Sequence, residues 1–189
     1  VKAIFEQRHE TLTVVVPKRL DQMRSIPAQN KSTWTVDDLL ALEKAHRQTV
    51  HQGTQASVFV VFVNGFLNQN GMANPNIIGV NVAGTTMVVI FKDVIKIAAD
   101  QSSMMTARFM EQATLIHEFG HVIGLVNAGL PMSTPHQDTA NGHHCSNTNC
   151  VMYWKNEGRS DMLNFVQQFI QNGSNIMFDS QCLDDTKSY

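Results

Sequence analysis

The stretch from His117 to Gly124, HEFGHVIG, decides the fold because it sets two histidines four residues apart with a carboxylate directly after the first. On a helix, residues four apart share a face, so the imidazoles of His117 and His121 can bind one metal ion. Glu118 then lies beside the ion, where it can take a proton from a metal-bound water. This spacing is typical of zinc hydrolases.

The residues around this stretch predict the helix that carries it. Apolar or small residues recur there at helical spacing: Phe109, Ala113, Ile116, Gly120 and Ile123. We expect the helix to be capped by Ser102 or Ser103 and to end near Gly124, because glycine tolerates a left-handed C-terminal turn. The two histidines fall off the apolar stripe, so we expect them to face away from the core that it forms.

Flanking segments predict further helices and strands. Thr35 and Asp38 form a capping box for a helix from about 36 to 51, and Ser160 caps a C-terminal helix closed by Gly173. Runs rich in β-branched and aromatic residues predict strands: Ser57–Val63, Ile77–Val82, Thr86–Phe91 and, as an edge strand or extended lead-in, Thr11–Val16. The first of these runs is apolar on both faces, as a central strand would be.

The remaining long segments predict loops. Asn64–Asn76 and Asn127–Asn149 are rich in glycine and polar residues and lack periodicity. The expected fold class is therefore α/β in the broad sense (α+β), with a mixed twisted sheet, an active-site helix and a C-terminal helix.

Composition bounds the size and the partners of the protein. A chain of 189 residues with 43% apolar content can bury one core, so we expect a single catalytic domain over residues 1–189. An upper lobe (1–125) would hold the sheet and the metal helix, and a lower lobe (126–189) the C-terminal helix. The formal charge of -2, without long charged runs, argues against nucleic-acid binding. No apolar run reaches the roughly 18 residues of a transmembrane segment.

The order of elements resembles the metzincin clan of zinc endopeptidases: helix, strands, His-Glu-x-x-His-x-x-Gly helix, irregular loop, methionine turn and C-terminal helix. In that clan the glycine lets the chain turn under the metal, and a third ligand follows three residues later. Asn127 holds that place here. An amide oxygen is a weaker zinc ligand than imidazole or carboxylate.

A second resemblance concerns the segment His144–Met152, HCSNTNCVM. It looks like the archaemetzincin pattern, in which the third histidine ligand is followed by Cys, four residues, Cys, one residue and Met. This implies that His144 is the third ligand, that 127–143 is an insertion, and that Met152 lies beneath the zinc as a hydrophobic floor. The Cys-x-x-Cys pair that follows in that family is absent. His136 with Asp138, His143 and Asn127 stay open as alternative third ligands.

The three cysteines, Cys145, Cys150 and Cys182, bear on the location of the protein. We expect a disulfide between two of them, since no second complete metal-binding set is visible in the sequence. The run from His117 through Tyr153 is also similar to uncharacterised bacterial metalloproteases. That similarity implies an exported protein, periplasmic, extracellular or lipid-anchored, whose signal or anchor segment could precede Val1.

Together, the motif and the resemblance imply a zinc metalloendopeptidase. One catalytic Zn²⁺ would activate a water for attack on an extended polypeptide substrate, with Glu118 as the base. A strand beside the cleft, Ile77–Val82 or Thr86–Phe91, would bind the substrate as an added strand. Two alternatives stay open: a non-catalytic binding module of the same fold, favoured by Asn127, and a short-peptide aminopeptidase.

Overall fold

The computed structural model describes residues 4–5, 13–99, 104–173 and 177–188. Within them the chain is of mixed α+β class, as the sequence predicts, but it forms two three-stranded sheets where one was expected. The strands are β1 (Thr33–Trp34), β2 (Phe59–Val63), β3 (Phe66–Gln69), β4 (Met72–Asn74), β5 (Gly79–Asn81) and β6 (Met87–Phe91). The helices of at least six residues are α1 (Val36–His46), α2 (Lys92–Ala99), α3 (Met104–Val122), α4 (Arg159–Asn172) and α5 (Ser180–Asp185).

The larger sheet has the order β2-β6-β5, with β2 parallel and β5 antiparallel to β6. Every residue of β6 is buried, as in a strand covered on both faces. β2 was expected in that central place, but among the described residues it pairs only with β6, and it leaves Val60 37% exposed. β6 is therefore the strand around which the core is built.

The smaller sheet, of order β1-β3-β4, lies mostly in a segment that was expected to be a loop. β3 and β4 form an antiparallel hairpin in which Gln69 pairs with Met72 across a two-residue turn. The turn residues Asn70 and Gly71 both have positive φ. An Asn-Gly pair is the residue pair most typical of such a turn, and this signal was overlooked.

The predicted helices are present, but they begin or end at other residues than predicted. The capping box of Thr35 and Asp38 is present, but α1 ends at His46 because the chain turns extended at Arg47. α4 is capped by Gly158 rather than Ser160, and it closes on Gly173 in the left-handed conformation as expected. α2 and α5 were not predicted. Residues 13–16 are exposed and not in a strand, whereas Thr11, Ser102 and Ser103 lie outside the described residues.

The helix that carries the histidine pair, α3, packs against β5, β6, α2 and α4. Its buried residues, among those whose side chains the structure describes, are Thr106, Met110, Ala113, Thr114, His117, Glu118 and Gly120. The expected stripe does face the core: Ala113 and Gly120 are buried, and Phe109, Ile116 and Ile123 are partly buried against it. The expectation that the histidines face away from the core was wrong for His117, which is buried. The histidine face points into the protein because the segment that follows α3 in the chain folds over it.

The turn that ends α3 depends on Gly124, which has a φ of +83°. Its carbonyl accepts a hydrogen bond from Leu130 N at 2.8 Å, and a Cβ there would lie 2.9 Å from that same nitrogen. A side chain at this position would therefore be strained and crowded. The chain reverses here, as the sequence predicts, and returns toward the histidines.

No helix among the described residues has the length and apolar character needed to cross a membrane. The division into lobes at residue 125 stays a prediction.

Candidate metal centre

Three histidines and one carboxylate converge beside the C-terminal half of α3. One ring nitrogen each of His117, His121 and His144 and one carboxylate oxygen of Glu157 all lie within 4.8 Å of one another. The ring centroids of the three histidines are 4.8 to 5.3 Å apart. The first two histidines come from one helix face, and the third is brought in by the loop that follows.

Backbone carbonyls fix which nitrogen of two rings is free. His117 Nδ1–H donates to the Val151 carbonyl at 2.7 Å, and His144 Nδ1–H donates to the Asn141 carbonyl at 2.6 Å. Each Nε2 therefore keeps its lone pair, which is the arrangement in which histidine binds a metal.

Nitrogens of the three rings and the Glu157 carboxylate face one another, as the ligands of one cation would. His117 Nε2 and His121 Nε2 are 3.1 Å apart, and His144 Nε2 faces Glu157 Oε1 at 3.1 Å. Without a metal, His121 Nε2–H can donate to His117 Nε2, and a protonated His144 can pair with Glu157. A cation among the three nitrogens would replace both contacts. The three histidines and Glu157 could thus hold a metal ion.

Burial keeps the two helix histidines neutral. Loss of water lowers the pKa of His117 to about 4, and it lowers the pKa of His121 to about 2 with the neighbouring histidines adding to the shift. For His144, the ion pair with Glu157 outweighs burial and raises the pKa. At neutral pH the helix pair is therefore ready to donate electron pairs to a metal.

Glu118 lies in the same cleft as His121, and its surroundings make it unusually basic. Its side chain is buried, and Oε2 accepts a hydrogen bond from Asn81 N at 2.6 Å, which ties the carboxylate to β5. Burial, helped by the charge of Glu157, raises the pKa of Glu118 to about 8. A base works best when its pKa is close to the working pH, and this environment makes the carboxylate a much stronger base than an exposed glutamate.

Met152 lies under the histidine pair. Its side chain is fully buried, and Sδ and Cε pack so closely on Gly120 that a Cβ at this glycine would collide with them. Gly120 sits between His117 and His121 in the sequence. The contact agrees with the floor expected for Met152, whose role in the chemistry stays a prediction.

The other proposed third ligands do not join the cluster of His117, His121, His144 and Glu157. Asn127 is exposed and donates from Nδ2 to Gln137. His143 is exposed and lines the same cleft as His121, with its Nδ1 3.2 Å from the Val126 carbonyl oxygen. His136 is buried, but its Nε2 lies 2.8 Å from Asp185 Oδ2 and its Nδ1 faces Cys145. The structure thus brings His144, rather than these three residues, into the cluster with the helix histidines.

Sequence reasoning missed Glu157. It ends the short 3₁₀ helix Trp154–Glu157, and its Oε1 lies 3.1 Å from His144 Nε2. The carboxylate is 48% exposed and lines the same cleft as Glu118. No motif marks it, because its place depends on how the chain turns after Met152.

A cleft of about 500 Å³ opens over these residues. One wall is formed by β5 and the turn after it, including Ala83, Gly84 and Thr85. The other wall carries Glu118 and His121 from α3. An extended chain bound in this cleft would therefore pass the candidate metal ligands.

The expected disulfide is absent, since all three cysteines are free and buried. Cys150 Sγ and Cys182 Sγ are 3.5 Å apart, too far for a bond of about 2.0 Å. The three sulfurs cluster with Asp179, so that four ligand atoms lie within 4.8 Å of one another. The disulfide can therefore no longer support an oxidising compartment, and the exported location stays a prediction.

No protein-family profile matches this chain, and neither the curated proteins nor the solved structures include a match.

Proposed function

We propose that this protein is a zinc-dependent metallopeptidase with a metzincin-like catalytic domain, which cleaves peptide bonds in extended polypeptides. One observation carries the proposal: the free nitrogens of His117, His121 and His144 converge beside the buried carboxylate of Glu118, at the wall of an open cleft. Three histidine ligands and a fourth position held by water are typical of catalytic zinc. Glu157 Oε1 lies among the three nitrogens, so the proposal requires this half-exposed carboxylate to leave the fourth position to water.

The side chains divide the chemistry between them. When bound, a zinc ion lowers the pKa of water and polarises a carbonyl group. Glu118 accepts a proton from the attacking water and later hands it to the leaving amine. Asn81 N–H holds this carboxylate by its Oε2. The burial that makes Glu118 basic also shields the proton transfer from bulk water.

The substrate class follows from the sheet edge. Within the described residues, β5 pairs with β6 on one side, and it lines the cleft. An extended polypeptide can add to such an edge by backbone hydrogen bonds, largely without regard to its sequence. We therefore favour an endopeptidase that binds its substrate alongside Gly79–Asn81.

The resemblance to metzincins supports the proposal at the level of element order. β5 and β6 precede α3, the chain reverses at Gly124, and the polar loop, Met152 and α4 follow in the expected order. The non-catalytic alternative loses its main argument, because Asn127 is not the residue nearest the helix histidines.

A short-peptide aminopeptidase is the second candidate, and Glu157 favours it. A half-exposed carboxylate in the cleft can bind the free α-ammonium group of a substrate. Cleavage of casein, compared with cleavage of leucine p-nitroanilide, separates the two. Internal cuts in casein identify an endopeptidase, and release of p-nitroaniline alone identifies the aminopeptidase.

Glu118→Gln tests the proposal directly. We expect cleavage to fall by at least about 100-fold, because the amide cannot accept the proton, while the zinc content stays unchanged. Glu111→Gln is the matched control: it lies two turns earlier on α3, is partly exposed and pairs with Lys92. Full activity in Glu118→Gln, or equal losses in both variants, would refute the role of Glu118.

A further inference from the structure

We infer that Cys145, Cys150, Cys182 and Asp179 form a second metal site, which takes a structural zinc ion. This site is separate from the histidine centre and does not depend on the proposed function. Its four ligand atoms lie within 4.8 Å of one another. With Zn–S bonds of about 2.3 Å, the sulfurs of a tetrahedral site lie about 3.8 Å apart, so small movements suffice to close the site on an ion.

The ligand atoms are held from several directions. Cys145 Sγ lies 3.3 Å from Asp179 Oδ2, and Cys150 Sγ lies 3.5 Å from Cys182 Sγ. All three cysteine side chains are buried. Without a metal, the neighbouring cysteines and burial raise the pKa of the Cys150 and Cys182 thiols, so these two stay protonated. A zinc ion would displace the thiol protons and bind the thiolates.

Backbone and side-chain donors already point at the ligand atoms. Asn147 N donates to Cys145 Sγ and Asp179 N to Cys150 Sγ, each at 3.4 Å. Asn147 Nδ2 donates to Asp179 Oδ2 at 2.9 Å. Donors of this kind stabilise thiolate and carboxylate rather than their protonated forms, and they orient ligands around a metal.

A buried histidine contacts the cluster through Cys145. His136 Nδ1 lies 3.4 Å from Cys145 Sγ, while its Nε2 contacts Asp185 Oδ2 at 2.8 Å. Asp185 also accepts from Ser133 N at 2.7 Å. This explains the burial of His136, which the histidine centre does not use.

The chemistry of the ligands selects zinc and a structural role. Three thiolates and a carboxylate fill all four tetrahedral positions, whereas the histidine centre offers three nitrogens and an open cleft. The positions of the cysteines in the chain indicate what the ion would stabilise. Cys145 follows His144 directly, and Cys150 comes two residues before Met152. An ion here would link the loop that carries His144 and Met152 to α5.

The sequence hides this site because one ligand is not a cysteine. Asp179 also caps α5, since its Oδ1 accepts from Cys182 N. The spacing Asp-x-x-Cys therefore has an ordinary explanation as a helix cap, and only the fold shows that the other carboxylate oxygen faces Cys145.

Zinc content measures the site directly. We expect purified reduced protein to hold about two zinc ions per chain, and the double variant His117→Ala/His121→Ala to keep about one. X-ray absorption of that double variant should show sulfur neighbours at about 2.3 Å. Its thiols should react with a chromogenic disulfide only after a chelator removes the zinc. These measurements do not involve peptidase activity, so they test the cysteine site independently of the proposed function.

Asp179→Asn, made in the same double variant, tests the fourth ligand. Asparagine keeps the helix cap but loses the anionic ligand, so zinc affinity should fall by at least about 10-fold while α5 stays capped. Asp184→Asn, on the same helix but outside the cluster, should leave affinity unchanged. A double His variant without zinc, with freely reactive thiols or with a Cys150–Cys182 disulfide, would overturn the inference.

Discussion

The nitrogen that each histidine leaves free determines what can bind at the centre of this protein. Two of the three rings donate Nδ1–H to backbone carbonyls, of Val151 and Asn141, so their Nε2 atoms are fixed as electron-pair donors. The sequence predicted the pair on α3 from spacing alone. It left the third ligand open, because His136, His143 and His144 lie in one irregular loop whose path no periodicity describes.

His144→Ala tests the third ligand. We expect zinc affinity at the histidine centre to fall by more than the roughly 10–100-fold typical of lost supporting groups, since a direct ligand is removed. The matched control is His143→Ala, which removes the adjacent, exposed imidazole. Competition with a zinc-chelating dye measures both variants. Equal affinity in the two variants would contradict the assignment.

Gly120→Ala tests the methionine floor. The new methyl group must displace Met152 Sδ, which costs about 1–3 kcal/mol, whereas alanine gains about 1 kcal/mol over glycine in a helix. We therefore expect a net loss of stability of about 0–2 kcal/mol but a clear loss of cleavage. Urea unfolding and a casein assay measure the two effects. Unchanged activity at unchanged stability would show that Met152 has no such role.

At the scale of helices and strands, the features that could be predicted are those marked by a few adjacent residues in the sequence. The capping box, the α3 helix and the reversal at Gly124 could be predicted because each rests on a few adjacent residues. The burial of the histidine side of α3 could not. An apolar stripe indicates where a core lies only if polar residues avoid it, and here His117 and Glu118 occupy the buried face at the metal centre.

The strand order likewise depends on contacts far apart in the sequence. β2 and β6 are both apolar runs, and only their pairing shows that β6 lies between two neighbours while β2 lies at an edge. The place of Asp179 in the cysteine cluster was missed for the same reason, since Cys145 and Cys150 precede it by about 30 residues.

Asp38→Asn tests the start of α1 as a function of pH. The hydrogen bond from Lys31, then those from Thr35, lower the pKa of Asp38 from 3.8 to about 2. Because the folded value lies below the unfolded one, this stabilisation is full above pH 3.8 and is lost as the pH falls toward 2. We expect the variant to lose about 1 kcal/mol at neutral pH.

Urea unfolding of wild type and variant at several pH values measures that difference. It should shrink as the pH falls below 3.8. The control is Asp37→Asn, whose carboxylate lies in the same first turn but is exposed. A difference between Asp38→Asn and wild type that does not change with pH would contradict this account of the cap.

At the scale of the whole molecule, both candidate metal sites join segments that are distant in the chain. The histidine centre links α3 to the loop that carries His144, and the cysteine cluster links that loop to α5. The fold should therefore gain stability from metal, because an unfolded chain cannot bring these ligands together.

Metal removal measures this coupling. At a free zinc concentration 100 times Kd, each site should stabilise the folded state by about 2.7 kcal/mol, which corresponds to a rise in Tm of about 5–10 °C for a chain of this size. Calorimetry of metal-free protein, with and without added zinc, reports the shift. The double variant His117→Ala/His121→Ala should show roughly half of it. An identical Tm with and without zinc would contradict the coupling.

Anomalous diffraction at the zinc edge tests the central claim most directly, because it locates the ion and its neighbours in one experiment. We expect a peak about 2.0–2.1 Å from the Nε2 atoms of His117, His121 and His144, with Glu118 beside it. The absence of a peak at these nitrogens, or a peak whose third neighbour is Asn127 or His136, would contradict it.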